Sequence, residues 1–161
     1  MWLAATDLRI ARIAVDGHDM STDNSPPGAP SLQYPSIEFL NGLSTDDSTL
    51  YTMFRDLNAG VKLGGARYVT KEVFYALRTY GPLLPPATRA AFFRVLTHVS
   101  GETAAEFQVA GGTYLGFHDI AGSGADLLVD PTTGQVVGER YGTDQLDLCR
   151  YAVVGALGQR V

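Results

Sequence analysis

"ADLLVDPTTGQVVGERYG", residues 125–142, is the stretch whose reading decides the fold. Residues 125–129 and 135–141 are two short runs rich in branched apolar side chains, and the segment between them is far too short for a parallel crossover, which needs a dozen or more residues. The two runs must therefore be neighbouring antiparallel strands. The connecting residues have the chemistry of a hairpin turn. Asp130 can accept hydrogen bonds from turn amides, Pro131 presets φ for its second position, and Gly134 supplies the positive φ that closes it. Asp130, Thr132, Thr133, Glu139 and Arg140 crowd together like a catalytic loop, but the first three have conformational work to do. Glu139 and Arg140 are adjacent on a strand and point to opposite faces. The segment reads as a turn between strands.

The same pattern continues on both sides. Ala105, Phe107 and Val109 alternate with Glu106 and Gln108, the period of a strand with one face buried. Gly111-Gly112 turns the chain into a strand at 113–119, "AGSG" at 121–124 turns it again, and an extended stretch at about 146–156 closes the sheet. Every connection is short, so an antiparallel meander is expected.

Upstream the period changes to that of a helix. Ser44 or Thr45 can cap, Asp46 and Asp47 sit at the positive end of the helix dipole, and Leu50, Met53, Phe54 and Leu57 fall at i, i+3, i+4 and i+7 before Gly60. A second helix is expected from Thr70 as N-cap through Val73, Ala76, Leu77 and Tyr80, stopped by Gly81-Pro82. The third enters at Pro85-Pro86, carries Phe92, Val95, Leu96 and Val99 as its stripe, and stops at Gly101. Before these, residues 2–5 and 8–15 read as strands, with a shift of apolar phase that suggests a bulge near Ala11 and Arg12. Residues 16–31, "DGHDMSTDNSPPGAPS", read as a long exposed loop. The fold class expected is α+β: one domain over residues 1–161, an antiparallel meander with three helices packed on one face.

Composition agrees with an ordinary globular domain: of 161 residues, 45% are hydrophobic and 18% charged,. The net charge is −5. Seven basic against nine acidic groups fall in residues 1–80, and five against eight in 81–161. Neither half offers the clustered Lys and Arg that a phosphate backbone demands, so nucleic acid is excluded as a partner. No run approaches the ~18 apolar residues of a membrane span, and the polypeptide as given is expected to be soluble. "MWLAATDLRIARIAVDG" reads as strand from its first residue, which suggests that Met1 is an internal start or the edge of a longer product. The lone Cys149 lies among apolar neighbours as a small buried hydrophobe, with no basic residue or His beside it to lower its pKa.

Chemistry-bearing clusters are sparse. His18, His98 and His118 are far apart and none has metal-ligand spacing. His98 falls at the negative end of the third helix, and His118 can pair with Asp119. Asp16, Asp19 and Asp23 lack the alternating ligands of a calcium loop. Gly64-Gly65 and Gly122-Ser123-Gly124 lack the strand-to-helix context of a phosphate cradle, and no G-x-S-x-G elbow occurs. Arg89 and Arg94 on the third helix read as solvated. Tyr68, Tyr75, Tyr80, Phe92 and Phe93 are numerous enough to line an apolar cleft between helices and sheet, or simply to fill a core. No catalytic residue, cofactor or metal is expected.

Three stretches, "LSTDDSTLYTMFRD" (43–56), "VFYALRTYGPLLPPATRAAFFRVLTHVSG" (73–101) and "LLVDPTTGQVVGER" (127–140), give residues 34–161 a resemblance to a family of actinobacterial proteins with one N-terminal membrane helix and one extracytoplasmic domain. Members have no activity that could be carried over, and their genes often neighbour those of alternative sigma factors. The chain departs from the pattern by lacking the anchor helix and first strands, and by having "VAGGTYLGF" (109–117) where relatives tend to have a D-x-x-G-R-x-G turn. The resemblance implies an outward-facing domain, membrane-associated only through the missing anchor. It also suggests, distantly, lipoprotein-carrier-like folds whose helix-plugged sheets take apolar ligands or peptides. The expectation is a non-enzymatic sensing or protein-interaction domain with a protein partner in envelope signalling. A carrier of a lipid or other apolar small molecule is the alternative, and an enzyme of unrecognised type is a third reading.

Overall fold

The computed structural model describes residues 2–3, 10–15, 18–23, 31–32, 35–57, 65–99, 101, 103–109, 111–118, 124–142 and 145–148. The chain divides into two compact units, residues 1–43 with 151–161, and residues 44–150.

In the first unit, β1 (Trp2–Leu3), β2 (Ile10–Val15) and β3 (His18–Asp23) form an antiparallel sheet in that order. β3 corrects the expectation of a loop across residues 16–31. Five of its six residues are polar and only Met20 is apolar, which looks unlike a strand, yet they pair one for one with β2, from Ile10 opposite Asp23 to Val15 opposite His18. The legible signal was Asp16-Gly17, a dipeptide favoured in two-residue hairpins, standing between the two strands in sequence. The expected bulge near Ala11 and Arg12 is absent, because the β2–β3 pairing advances without a shift from Ile10 to Val15. A fourth helix, α1 (Ile37–Asn41), was also not foreseen. Five residues are too few to display a period; a local bond makes the helix, the Ser36 hydroxyl accepting from the Phe39 amide at 3.1 Å,.

The second unit holds the three expected helices. α2 (Asp47–Asp56) is capped by Asp46, not by Ser44 or Thr45: its carboxylate accepts from the Thr49 amide at 2.7 Å and the Thr49 hydroxyl at 2.6 Å. The Ser44 hydroxyl accepts from the Asp46 amide at 3.0 Å, shaping the approach to the cap. α3 (Gly65–Tyr80) starts well ahead of Thr70, which is fully buried inside the helix and not its cap. Tertiary burial of one continuous face (Val69, Thr70, Val73, Ala76, Leu77, Tyr80) outweighs the local capping signal there,. A tight 3-10 turn (Gly81–Leu83) follows, and α4 (Pro86–Leu96) enters at the two prolines as expected. The three helices pack on one another, with Phe54 of α2 and Phe92 of α4 edge to face, 5.1 Å apart, at their centre.

β4 (Ala104–Val109), β5 (Gly112–His118), β6 (Ala125–Val129), β7 (Val136–Tyr141) and β8 (Gln145–Leu148) follow as an antiparallel meander in sequence order. All five residues of β6 are buried, as a central strand requires. The helices lie on the face that carries Phe117, Leu127 and Glu139. Phe93 of α4 stacks on Phe117 with centroids 5.4 Å apart, and Arg78 of α3 meets Glu139 at 2.9 Å. The fold is thus α+β, with helices on one side of a meander. Pairing of Phe107 with Tyr114 and of Ala105 with Gly116 puts the Phe107 stripe on the face away from the helices. β4 is also a shallow edge strand, Ala104, Ala105, Glu106 and Gln108 being exposed. Among the described residues no helix is long and apolar enough to cross a membrane.

Candidate functional site

The turn that opened the sequence reading folds as expected. The Asp130 amide donates to the Gln135 carbonyl at 2.9 Å, the Gly134 amide to the Asp130 carbonyl at 2.8 Å, and Gly134 has φ 65°. The Asp130 carboxylate accepts from the Thr132 amide at 2.8 Å, and that bond holds its carboxyl below the ordinary carboxylate range,. Arg89 adds a clamp that was not foreseen. Expected in solvent, it is 8% exposed and donates to the carbonyls of Gly81 at 2.9 Å, Leu84 at 3.3 Å and Thr133 at 3.1 Å. It thereby ties α4, the 3-10 turn and the β6–β7 hairpin together.

Glu139 and Arg140 do point to opposite faces, and the two sides differ in character. On the helix side Glu139 accepts from Arg78 and, at 2.7 Å, from the Tyr141 hydroxyl. That bond raises the Tyr141 pKa. On the other side a row crosses three strands. His118, Asp126 and Arg140 are directly opposite one another. His118 Nδ1 donates to Asp126 Oδ1 at 2.9 Å, and Arg140 Nε donates to Asp126 Oδ2 at 3.0 Å. The guanidinium lies 3.7 Å from the centre of the Phe107 ring, which in turn lies so close over Gly116 that an added Cβ would sit 2.0 Å from it. Asp126 is nearly buried, its side chain 11% exposed, whereas that of His118 is 55% exposed.

A bulge makes this row. Val129 pairs with Val136, but from Leu128 onward the pairing is shifted by one residue, so that Asp126 faces Arg140. A regular ladder continued from Val129–Val136 would set Asp126 against Glu139, two like charges directly opposite, and would turn Arg140 toward the helices.

Sequence reading missed the row because its members come from three strands. It paired His118 with Asp119, which lies outside the described residues. His98, expected just inside the end of the third helix, lies just past it, after the C-cap Thr97, and its partner is across the fold. Its Nε2 donates to Asp47 at 2.8 Å and lowers the Asp47 pKa. The five aromatics proposed for a cleft are distributed rather than gathered. Phe92 meets Phe54, Phe93 stacks on Phe117, Tyr75 meets Tyr80 edge to face at 6.1 Å, and the Lys71 ammonium lies 5.9 Å from the Tyr68 ring centre. Phe92 and Tyr80 are buried, Phe93 and Tyr68 half-buried, and Tyr75 exposed. Cys149, Asp16, Gly64 and Gly122 fall outside the described residues, and among those described no three His, Cys, Asp or Glu gather as metal ligands.

No protein family, no curated protein and no solved structure matches this chain.

Two features stand out. One is His118, whose ring is held by Asp126 through Nδ1 while more than half of its side chain is exposed. The other is the outer edge of β4, first strand in the sheet order, with most of its residues exposed. A sheet edge presents a row of main-chain donors and acceptors to any extended segment that can pair with it.

Proposed function

We propose that the chain is a non-enzymatic extracytoplasmic interaction domain that takes an extended partner segment along the outer edge of β4. The observation that carries this reading is the edge itself. "AAEFQV" is six residues long, contains no Pro or Lys, and carries Glu106 as its single charged side chain, so it is lightly guarded for an exposed edge. Three ionisable side chains of the sheet and its turn are engaged in holding it: Asp126 by His118 and Arg140, Glu139 by Arg78, Asp130 by its turn. The extracytoplasmic setting and a partner in envelope signalling rest on the family resemblance of residues 34–161. The test is capture of envelope proteins by the immobilised chain and by Gln108→Pro and Glu106→Pro variants, whose fold is checked by circular dichroism. The reading expects at least one specific partner to be retained by the native chain and lost by folded edge variants. Equal capture by all three would sink it.

A second reading, an enzyme using His118 as proton acceptor, is favoured by one observation: the buried Asp126 carboxylate orients the ring as a general base requires. It is placed second because, among the described residues, no hydroxyl or thiol is hydrogen-bonded to His118 as a nucleophile. Screening ester, amide and phosphoester substrates with the native chain and His118→Gln separates the two; turnover abolished by H118Q would favour the enzyme.

A further inference from the structure

From the pairing register of β4 we infer that its outer edge associates with the β4 edge of a second copy of this chain, antiparallel, about a twofold axis at Phe107. This rests on the reading that the edge is a docking strand, and names an occupant for it.

Two self-pairings use all but one residue of the strand Ala104–Val109, and side chains decide between them. In an antiparallel pair, directly opposed residues point to the same side, so the twofold must pass through a residue. With the axis at Glu106, the carboxylate of one copy faces that of the other, and like charges directly opposite are destabilising. With the axis at Phe107, Glu106 of each copy lies opposite Gln108 of the other, an acceptor against an amide donor, twice by symmetry. Ala105 then meets Val109, while each Phe107 ring stays over Gly116 and against the Arg140 guanidinium of its own sheet, on the side away from the helices. The second register has a complementary polar pair where the first has a repulsion. An isologous contact of this kind closes with two copies.

The structure leaves room for that neighbour. Ala104, Glu106 and Gln108, the helix-side residues of β4, are all exposed, so the helices of the second unit do not overhang the edge. Gln108 is already held upright by Thr113, its Nε2 donating to the Thr113 hydroxyl at 2.9 Å, and the amide has a further proton to offer.

The experiment is sedimentation velocity of the full chain and of single variants at position 108, up to about 1 mM, the weak end of specific association. Gln108→Lys puts an ammonium opposite Glu106 twice and should tighten dimerisation roughly three- to thirty-fold; Gln108→Glu should weaken it by a similar factor. In a Cys149→Ser background, the Glu106→Cys/Gln108→Cys pair should yield disulfide-linked dimers on oxidation. Glu106→Cys alone should not, since it is opposite itself only in the rejected register. A chain that stays monomeric up to about 1 mM, dimerises without regard to the charge at 108, or cross-links through Glu106→Cys alone overturns the inference. A monomer whose capture of another protein is still abolished by Gln108→Pro would overturn self-association but leave the docking strand standing. A dimer with no edge-dependent capture would do the reverse.

Discussion

Replacing Arg89 with Met is the sharpest test of how the second unit is held together. The guanidinium serves the carbonyls of Gly81, Leu84 and Thr133 at 2.9, 3.3 and 3.1 Å, and burial lowers its pKa, with no carboxylate paired to it among the described residues. Methionine fills much the same volume and offers no donor. Each buried carbonyl left without a partner costs about 1–3 kcal/mol. The 3.3 Å bond is the weakest of the three, and the Thr133 carbonyl, at the exposed turn, can regain water. Sparing the guanidinium its desolvation returns part of the loss. The net expectation is a destabilisation of about 2–4 kcal/mol. Arg89→Lys, with a point charge in place of a fork, should lose about half of that. With an m-value of about 2 kcal/mol/M, R89M should bring the urea midpoint of the full chain down by about 1–2 M, read by far-ultraviolet circular dichroism. Amide exchange at Gly134 should quicken in parallel, because Arg89 also pins the turn. A midpoint unchanged within about 0.2 M would refute the idea that these carbonyls depend on Arg89.

Gly116→Ala drives a Cβ into the Phe107 ring and should cost about 1–3 kcal/mol; Phe107→Ala in the same chain should relieve much of it, and additive effects in the double-mutant cycle would count against the close ring contact. Asp46, Asp47 and Asp130 all have lowered pKa values, through hydrogen bonds to Thr49, His98 and the Thr132 amide respectively. Their stabilisation is therefore fully present above the unfolded carboxylate value and lost as pH falls through the folded ones, so the melting temperature should drop below about pH 4. Asp130→Asn should flatten that drop, and an unaltered acid profile would contradict the assignment. Tyr141, raised by its bond to Glu139, should ionise above the ordinary phenol value in an ultraviolet pH titration, and Glu139→Gln should bring it back toward that value. The contribution of this bond to stability is present below the unfolded phenol pKa and lost as pH rises through the folded one.

The legible parts of the fold were those whose physics is local. Pro85-Pro86 announced a helix entry because a helix's first residues need no amide donor. Asp130, Pro131 and Gly134 announced a hairpin because each supplies one dihedral or one bond that the turn requires. Where two local signals competed, the reading failed: Ser44, Thr45 and Asp46 can all cap, and only the bond actually formed chooses among them. Thr70 looked like a cap but is buried mid-helix, because a face of apolar neighbours on both sides of it packs better as one helix. Arg89 looked like any helix-surface arginine; its burial depends on two segments, residues 81–84 and 133, that the helix itself does not specify. The candidate site was less legible still, since His118, Asp126 and Arg140 share no segment.

The amino-acid sequence by itself determined the antiparallel order of the meander, the three helices beside it and the turn at 130–134, because short connections and 2- or 3.6-residue periods act within a few residues. Only the tertiary structure decided which residues face one another. A one-residue bulge at Leu128–Val129 sets Arg140, not Glu139, across from Asp126, and a strand's side-chain period of two turns that small shift into a change of face for every residue beyond it.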